Sequence, residues 1–187
     1  MHISVAGSPG SGKSTVCEIL KADHGFPIYS TGAIQREIAL RREVSTLEMN
    51  QLMARDISYD YAIDTAVSKI SAERQAETII FDSRMAWRFA LNSFKVYITV
   101  DPLVAAARVL RCPRGEEEVY ASLEEARDLL IARCRLENER FKEIYGVDNL
   151  DFTNYDLVID STYATPQELA DTIYQNFLVY CNSAEGA

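Results

Sequence analysis

A short β-branched run, HISVA at residues 2–6, breaks at Gly7 into SPGSGKST, and apolar residues at helical spacing follow at Val16, Ile19 and Leu20. Strand, glycine-rich loop and helix inside 25 residues constrain the chain more than any other feature. Gly7, Gly10 and Gly12 let the backbone curl until successive N–H groups face inward, and the following helix adds its positive N-terminal end. Gly7-x4-Gly12-Lys13-Ser14 has the spacing of a phosphate-binding loop and lies in the strand-to-helix context that the motif requires. Gly7, Ser8, Pro9, Gly10, Ser11, Gly12, Lys13, Ser14 and Thr15 are therefore expected to hold the phosphates of a nucleoside triphosphate. Lys13 supplies a flexible point charge, Ser14 a hydroxyl for Mg²⁺, and Thr15 a hydroxyl for an α-phosphate oxygen.

The rest of the chain alternates strands with helices. PIYS (27–30) reads as a brief strand, and TGAIQREIALRRE (31–43) as a helix with Ile34 and Ile38 one turn apart. Ser45 with Glu48 forms a capping box for a third helix to about Asp56, and YDYAIDTAVSKISAERQ (59–75) carries a fourth. TIIFD (78–82) and FKVYITV (94–100) are continuous apolar runs of the kind that buried parallel strands need. Asp101-Pro102 opens a helix through Arg111, and CPRGEEEVYA (112–121), with its proline, glycine and acidic triplet, reads as a solvated loop able to move. Ser122 with Glu125 caps a long helix that stops at Gly146. YDLVID (155–160) is the last strand, and Thr165-Pro166-x-Glu168 starts a helix with Leu169, Ile173 and Phe177 on one face. Five strands in this order predict an α/β fold, a doubly wound and mainly parallel sheet with helices on both faces.

Composition narrows the partners. At 187 residues and 48 % hydrophobic, the chain suffices for a single domain with one sizeable core. A net charge of −9 repels nucleic-acid backbone and anionic lipid, so neither nucleic acid nor membrane is an expected partner. Cys17, Cys112, Cys134 and Cys181 lie far apart and only two histidines occur, which suggests neither a zinc site nor a disulfide framework and favours a reducing cytoplasm. Met1 leads directly into HISVAG, and no window of about 18 uncharged apolar residues follows, so neither export nor membrane spanning is expected.

Asp82 closes the run TIIF, placing a carboxylate at the carboxyl end of a strand, where open α/β sheets bind their ligands. It can approach Mg²⁺ through water, or cap the next helix. Phosphoryl transfer needs positive charge around the moving group, which directs attention to the arginines. Arg36 lies one turn into the helix opened by Ser30, Thr31 and Gly32, and Arg84 follows Asp82 by two residues. Arg133 and Arg140 fall on one side of the long helix with Glu137 between them, flanking a stripe of Leu130, Cys134 and Phe141. An exposed ion-pair ladder explains that pattern equally well.

YSTGAIQREIA (29–39) resembles the S-T/S-G-x-x-x-R acceptor segment of nucleoside monophosphate kinases, and FDSRMAW (81–87) resembles the D-G-R segment of cytidylate kinases. IARCRLENERFKEIYGVD followed by YDLVIDST is similar to the tail of the short, archaeal-type cytidylate kinases and their bacterial relatives, and the likeness runs from residue 3 to about 174. The resemblance implies transfer of the γ-phosphate of ATP, with Mg²⁺, to CMP or dCMP. It implies that Lys13, Arg133 and Arg140 act catalytically, the last two from a closing lid. Ser30, Gly32, Arg36 and Arg84 would hold the acceptor, and Ser14 and, through water, Asp82 the metal. One domain over 1–187 would then comprise a core (1–30, 76–111 and 146–187), acceptor-binding helices (31–75) and a lid region (111–145), working on small-molecule nucleotides as a monomer or weak homodimer. Ser83 stands where cytidylate kinases usually carry glycine, and its side chain would crowd the acceptor or cap the next turn. Asp64 is a candidate for reading the base, against the commoner alternative of a surface carboxylate. Two alternatives remain open: a kinase of the same fold acting on another small acceptor, and a nucleotide-binding switch without transfer activity.

Overall fold

The computed structural model describes residues 1–44, 49, 52–53, 55–112 and 120–185. Its elements follow in the order β1 (His2–Gly7), α1 (Lys13–His24), β2 (Ile28–Ser30), α2 (Thr31–Arg41), α3 (Ser58–Glu73), β3 (Ile80–Asp82), α4 (Ala86–Phe89), β4 (Ser93–Thr99), α5 (Pro102–Arg111), α6 (Leu123–Tyr145), β5 (Leu157–Asp160) and α7 (Pro166–Glu185). The strands form one parallel sheet in the order β2-β3-β1-β4-β5. Every residue of β1 is buried, which is why its sequence carries no charge at its centre, where Ser4 satisfies its hydroxyl on the carbonyl of Phe94.

Alternation still decides which helices each face meets. Ile3 and Val5 point to α1 and α7, where they pack with Val16, Leu20, Ile173 and Phe177. Ala6 faces the other side, in a cluster with Tyr97, Trp87, Phe141 and Tyr155. Helices therefore cover both faces, as the strand–helix alternation predicts. Leu169, Ile173 and Phe177 are 3 %, 0 % and 4 % exposed, so the stripe of the last helix is the buried one. Burying three such side chains contributes roughly 5–9 kcal/mol before the entropy of ordering them is counted.

The predicted helix starts rest on side-chain caps. Asp101 accepts from the N–H groups of Leu103 and Val104, Ser122 from that of Glu125, and Thr165 and Glu168 satisfy each other's backbone N–H groups. In the box at Ser122 the glutamate reaches back to the N–H of Ala121 instead of that of the cap residue. The four-residue helix α4 has no counterpart in the sequence pattern, and β3 begins at Ile80, two residues later than TIIFD suggests. The capping box at Ser45 and Glu48 lies outside the described residues, as do 113–119 of the acidic loop; Met49, Leu52, Met53 and Arg55 are helical.

Several polar side chains are built into the sheet, His2, Ser4 and Ser93 among them. His2, 1 % exposed, bonds through Nε2 to the carbonyl of Ser71 at 3.0 Å, and its Nδ1 accepts from the N–H of Ile79 at 3.3 Å. Burial lowers its pKa below the ordinary 6.5, so the ring folds neutral. The unfolded chain then binds a proton first as pH falls. Stability from this group is complete above pH 6.5 and is lost as pH drops through the lowered folded-state value. A His2→Gln variant should therefore lose less stability than wild type between neutral pH and pH 5, read as melting temperature against pH.

Candidate active site

The sheet register brings three strand ends to one edge: Gly7 lies opposite Ile98, Val5 opposite Asp82, and Ser30 opposite Asp82. From Gly7 the loop folds over α5, with Ser8 donating to the carbonyl of Ile98 at 3.0 Å. Gly10 has φ +77°, and a Cβ there would lie 2.8 Å from the Cβ of Ala105, so conformation and space both demand glycine. Gly12 enters α1 with φ +85° and no side-chain cap, and the first turn carries no acidic residue. The N–H groups of that turn are thus left for a ligand. Ser11 Oγ is buried beside them with no hydrogen-bond partner among the described residues. A cradle of donors without a protein acceptor fits a polyphosphate.

Lys13 Nζ donates to the carbonyl oxygens of Gly7, at 2.9 Å, and Ser8, at 3.4 Å, which holds the ammonium over the loop. Ser14 Oγ donates to Asp82 Oδ2 at 3.2 Å, and Ser30 Oγ donates to the same oxygen at 3.1 Å. Asp82 therefore joins the loop to the start of α2. The helix-cap alternative for Asp82 does not hold, because the helix that follows, Ala86–Phe89, has no side-chain cap, while Asp82 Oδ2 accepts from Ser14 and Ser30. Among the described residues no three His, Cys, Asp or Glu side chains gather to hold a metal. One hydroxyl and one carboxylate are hard oxygen donors but too few for a closed cage. They fit Mg²⁺, which keeps most of its shell from phosphates and water.

Across the strand end from the loop, Thr31 and Gln35 of α2, Asp60 and Asp64 of α3, and Arg84 and Arg140 line a pocket. Glu137 bridges two of the predicted arginines: its Oε2 pairs with Arg84 Nε at 2.7 Å and its Oε1 with Arg133 Nε at 3.0 Å. Arg140 Nη2 pairs with Asp60 Oδ1 at 3.3 Å. Arg140 departs from the ladder reading, since it pairs across to Asp60, 7 % exposed at its side chain, whereas Arg133 keeps the i,i+4 pairing with Glu137 that a ladder predicts; Glu137, 16 % exposed, also ties α6 to Arg84. Burial draws the pKa of Arg84 down while Glu137 opposes it, and an arginine begins high enough to stay a cation.

Asp64 is not a surface carboxylate. It is 5 % exposed, lines the pocket, and accepts a hydrogen bond from the hydroxyl of Tyr145. Burial foremost, with the neighbouring Asp60 adding, pushes its pKa up to about 6, against the opposing effect of the Tyr145 bond and Arg140. Ser83, 7 % exposed, both lines the pocket and caps the following turn. Ser30 and Gly32 stand at the β2–α2 junction, and Arg36 lies one turn into α2 with its side chain outside the described part of the structure. Sequence spacing gives no signal for Asp60 or Tyr145, nor for the grip of Arg108, whose guanidinium donates to Ser161 Oγ at 3.0 Å and reaches the carbonyl of Gly10 at 3.5 Å.

The model of the Cytidylate kinase-like family matches residues 2–163. The chain belongs to that family. A cytidylate kinase from Sulfolobus acidocaldarius is 33 % identical over 175 residues, 92 % of each chain. One from Methanosarcina mazei is 37 % identical over 164 residues, 86 % of this chain and 87 % of that one. Among solved structures, an uncharacterized protein from Eubacterium ventriosum superposes with TM-score 0.69 at 17 % identity, covering 94 % of this chain and 96 % of the other. A shikimate kinase from Bacteroides thetaiotaomicron gives 0.61 at 13 % identity over 97 % and 98 %. At such identities these two show the fold alone, a parallel sheet covered by helices.

Proposed function

We propose that the protein transfers the γ-phosphate of ATP to CMP or dCMP. The observation that carries this reading is the end of β3: Asp82 bonds to Ser14 of the phosphate loop, while Arg84, two residues on, lines the pocket opposite. One strand end thus holds the donor's loop and the acceptor's pocket in register, which is what a two-substrate transfer requires. Membership of the family, and relatives named cytidylate kinase, supply the acceptor class.

In this reading the loop from Gly7 to Thr15 holds the triphosphate through its N–H groups. Lys13 leaves its carbonyl partners to follow the transferring group, whose charge spreads over three equatorial oxygens. Mg²⁺, when bound, neutralises charge on the β- and γ-oxygens, and Ser14 and, through water, Asp82 would hold it. Ser30, Gly32, Arg36 and Arg84 hold the acceptor's phosphate at the N-terminus of α2. Arg133 and Arg140 approach from α6, so that residues 31–75 serve as the acceptor-binding segment and 111–145 as the lid. Among the described residues no helix is long and apolar enough to cross a membrane. The reading is completed by a cytoplasmic enzyme that acts on small nucleotides as a monomer or weak homodimer.

A panel of acceptors with ATP and Mg²⁺ tests the proposal. CMP or dCMP should be phosphorylated at least ~10-fold faster than AMP, GMP or UMP, since a mismatched base leaves buried polar groups unpaired. Arg36→Ala should raise KM for the monophosphate much more than for ATP. If no monophosphate yields a diphosphate, the proposal fails, and Ser83 is the first residue to exchange for glycine.

A further inference from the structure

Asp60 and Asp64 stand one turn apart on α3, each 5 % exposed, and both line the acceptor pocket. Two carboxylates so close and so deeply buried oppose folding unless partners meet them. Asp60 Oδ1 meets Arg140, and one oxygen of Asp64 meets the Tyr145 hydroxyl. Asp60 Oδ2 has no hydrogen-bond partner among the described residues, and Arg140 Nε has none either. The pocket thus carries an acceptor oxygen that the protein leaves unmet, next to a second carboxylate. A ligand that satisfies this corner brings N–H groups for the carboxylates and a lone pair for Arg140 Nε.

We propose that Asp60 and Asp64 read the exocyclic amino group of the acceptor's pyrimidine, and that Tyr145 is the positioning residue that aims Asp64. The inference rests on the reading of the acceptor as a cytidine monophosphate, and names the residues that select it. The amino group of cytosine carries two hydrogens and finds two carboxylates. A keto oxygen at the same ring position turns lone pairs toward both, leaving them unpaired and repelled. Sites built around such a hydrogen bond reject the analogue that lacks it far more strongly than apolar pockets do. Arg84, in the same pocket, fixes the other end of the nucleotide, while Arg140 steadies Asp60.

Tyr145 is well placed for its role. Its ring meets Phe89 edge-on at 5.0 Å and Tyr61 at 5.8 Å, which locks the hydroxyl in one direction. That hydroxyl occupies one oxygen of Asp64 and so orients the carboxylate plane. With its pKa near 6, Asp64 is mostly ionised at neutral pH and accepts hydrogen bonds.

The test compares CMP and UMP as acceptors in steady state for wild type, Asp64→Asn and Tyr145→Phe. Asp64→Asn should lose at least ~100-fold in kcat/KM for CMP, and its CMP:UMP ratio should contract at least ~10-fold because an amide can turn its NH₂ toward a keto oxygen. KM for ATP should stay within about twofold, since no donor-side contact is touched. Tyr145→Phe removes one oxygen atom and should raise KM for CMP with little change in kcat, again narrowing the ratio. Should Asp64→Asn fail to fold, Tyr145→Phe and calorimetric binding of CMP against UMP decide. A CMP-selective wild type whose variants keep the full ratio overturns this inference alone; a wild type indifferent to CMP overturns the proposed function and this with it.

Discussion

Lys13→Ala will fold normally and lose turnover by a factor of ~10²–10³ or more, corresponding to about 3–4 kcal/mol of transition-state stabilisation, the magnitude seen when one preorganised electrostatic donor is removed. The two effects separate because of where the side chain lies. Lys13 is partly exposed at the first position of α1, and its Nζ donates to the carbonyls of Gly7 and Ser8. Removing a hydrogen bond from a solvated ammonium costs little in stability, and alanine is a good helix former at that position. In the proposed transfer, however, the same ammonium would offset the charge that develops on the moving phosphoryl group. Calorimetry and a coupled assay for ADP release measure the two sides separately. A folded variant with wild-type turnover rules out the assignment of the loop as the donor site.

What the sequence makes legible is what is local. The phosphate loop, the caps at Asp101, Ser122 and Thr165, and the buried stripe of α7 each depend on residues within a few positions of one another, and each stands in the structure. Asp82 is legible because a carboxylate ending an apolar strand has few places to go in a parallel sheet. The sequence leaves Asp64 between a base-reading candidate and a surface carboxylate, and the structure buries it against Tyr145, 81 residues away. No periodicity within α3 carries that information. Arg140 fits a surface ladder equally well until its bond to Asp60, from a different element, decides against it, while Arg133 keeps its ladder partner Glu137. Helix α4 escapes notice since four residues span barely one turn and show no period.

The same long-range contacts give α6 a mechanical meaning. Its N-terminal half packs on α5 through Ala126 and Leu130 against Ala105 and Ala106. Its C-terminal half reaches the acceptor pocket three times, by Glu137 to Arg84, Arg140 to Asp60 and Tyr145 to Asp64. A ligand that recruits Arg84, Arg140 or Asp64 exchanges a protein partner for a ligand partner on this one helix. Acceptor binding and the position of α6 are then linked through shared hydrogen bonds, with no separate relay needed.

Glu137→Ala should therefore damage stability and acceptor use together. It leaves the guanidinium of Arg84, whose side chain is only 29 % exposed, without its partner, and releases Arg133 as well. Removing one member of a fully buried pair costs about 3–5 kcal/mol, and an exposed pair is worth about 0.2–1; at this intermediate burial about 1–3 kcal/mol is expected. For a chain of this size that lowers the melting temperature by about 2–10 °C. Acceptor use should suffer further: an Arg84 free to rotate no longer meets the acceptor's phosphate in a fixed direction, so KM for the monophosphate should rise by ~10-fold or more while KM for ATP changes little. Glu137→Gln separates charge from shape, since its amide oxygen can still accept from one arginine but brings no anion to balance two. It should recover part of the lost stability and little of the acceptor affinity. If Glu137→Ala melts with the wild type and binds the monophosphate as tightly, then Glu137 does not hold Arg84 for the acceptor, and the pairing at 2.7 Å is a contact without consequence for transfer.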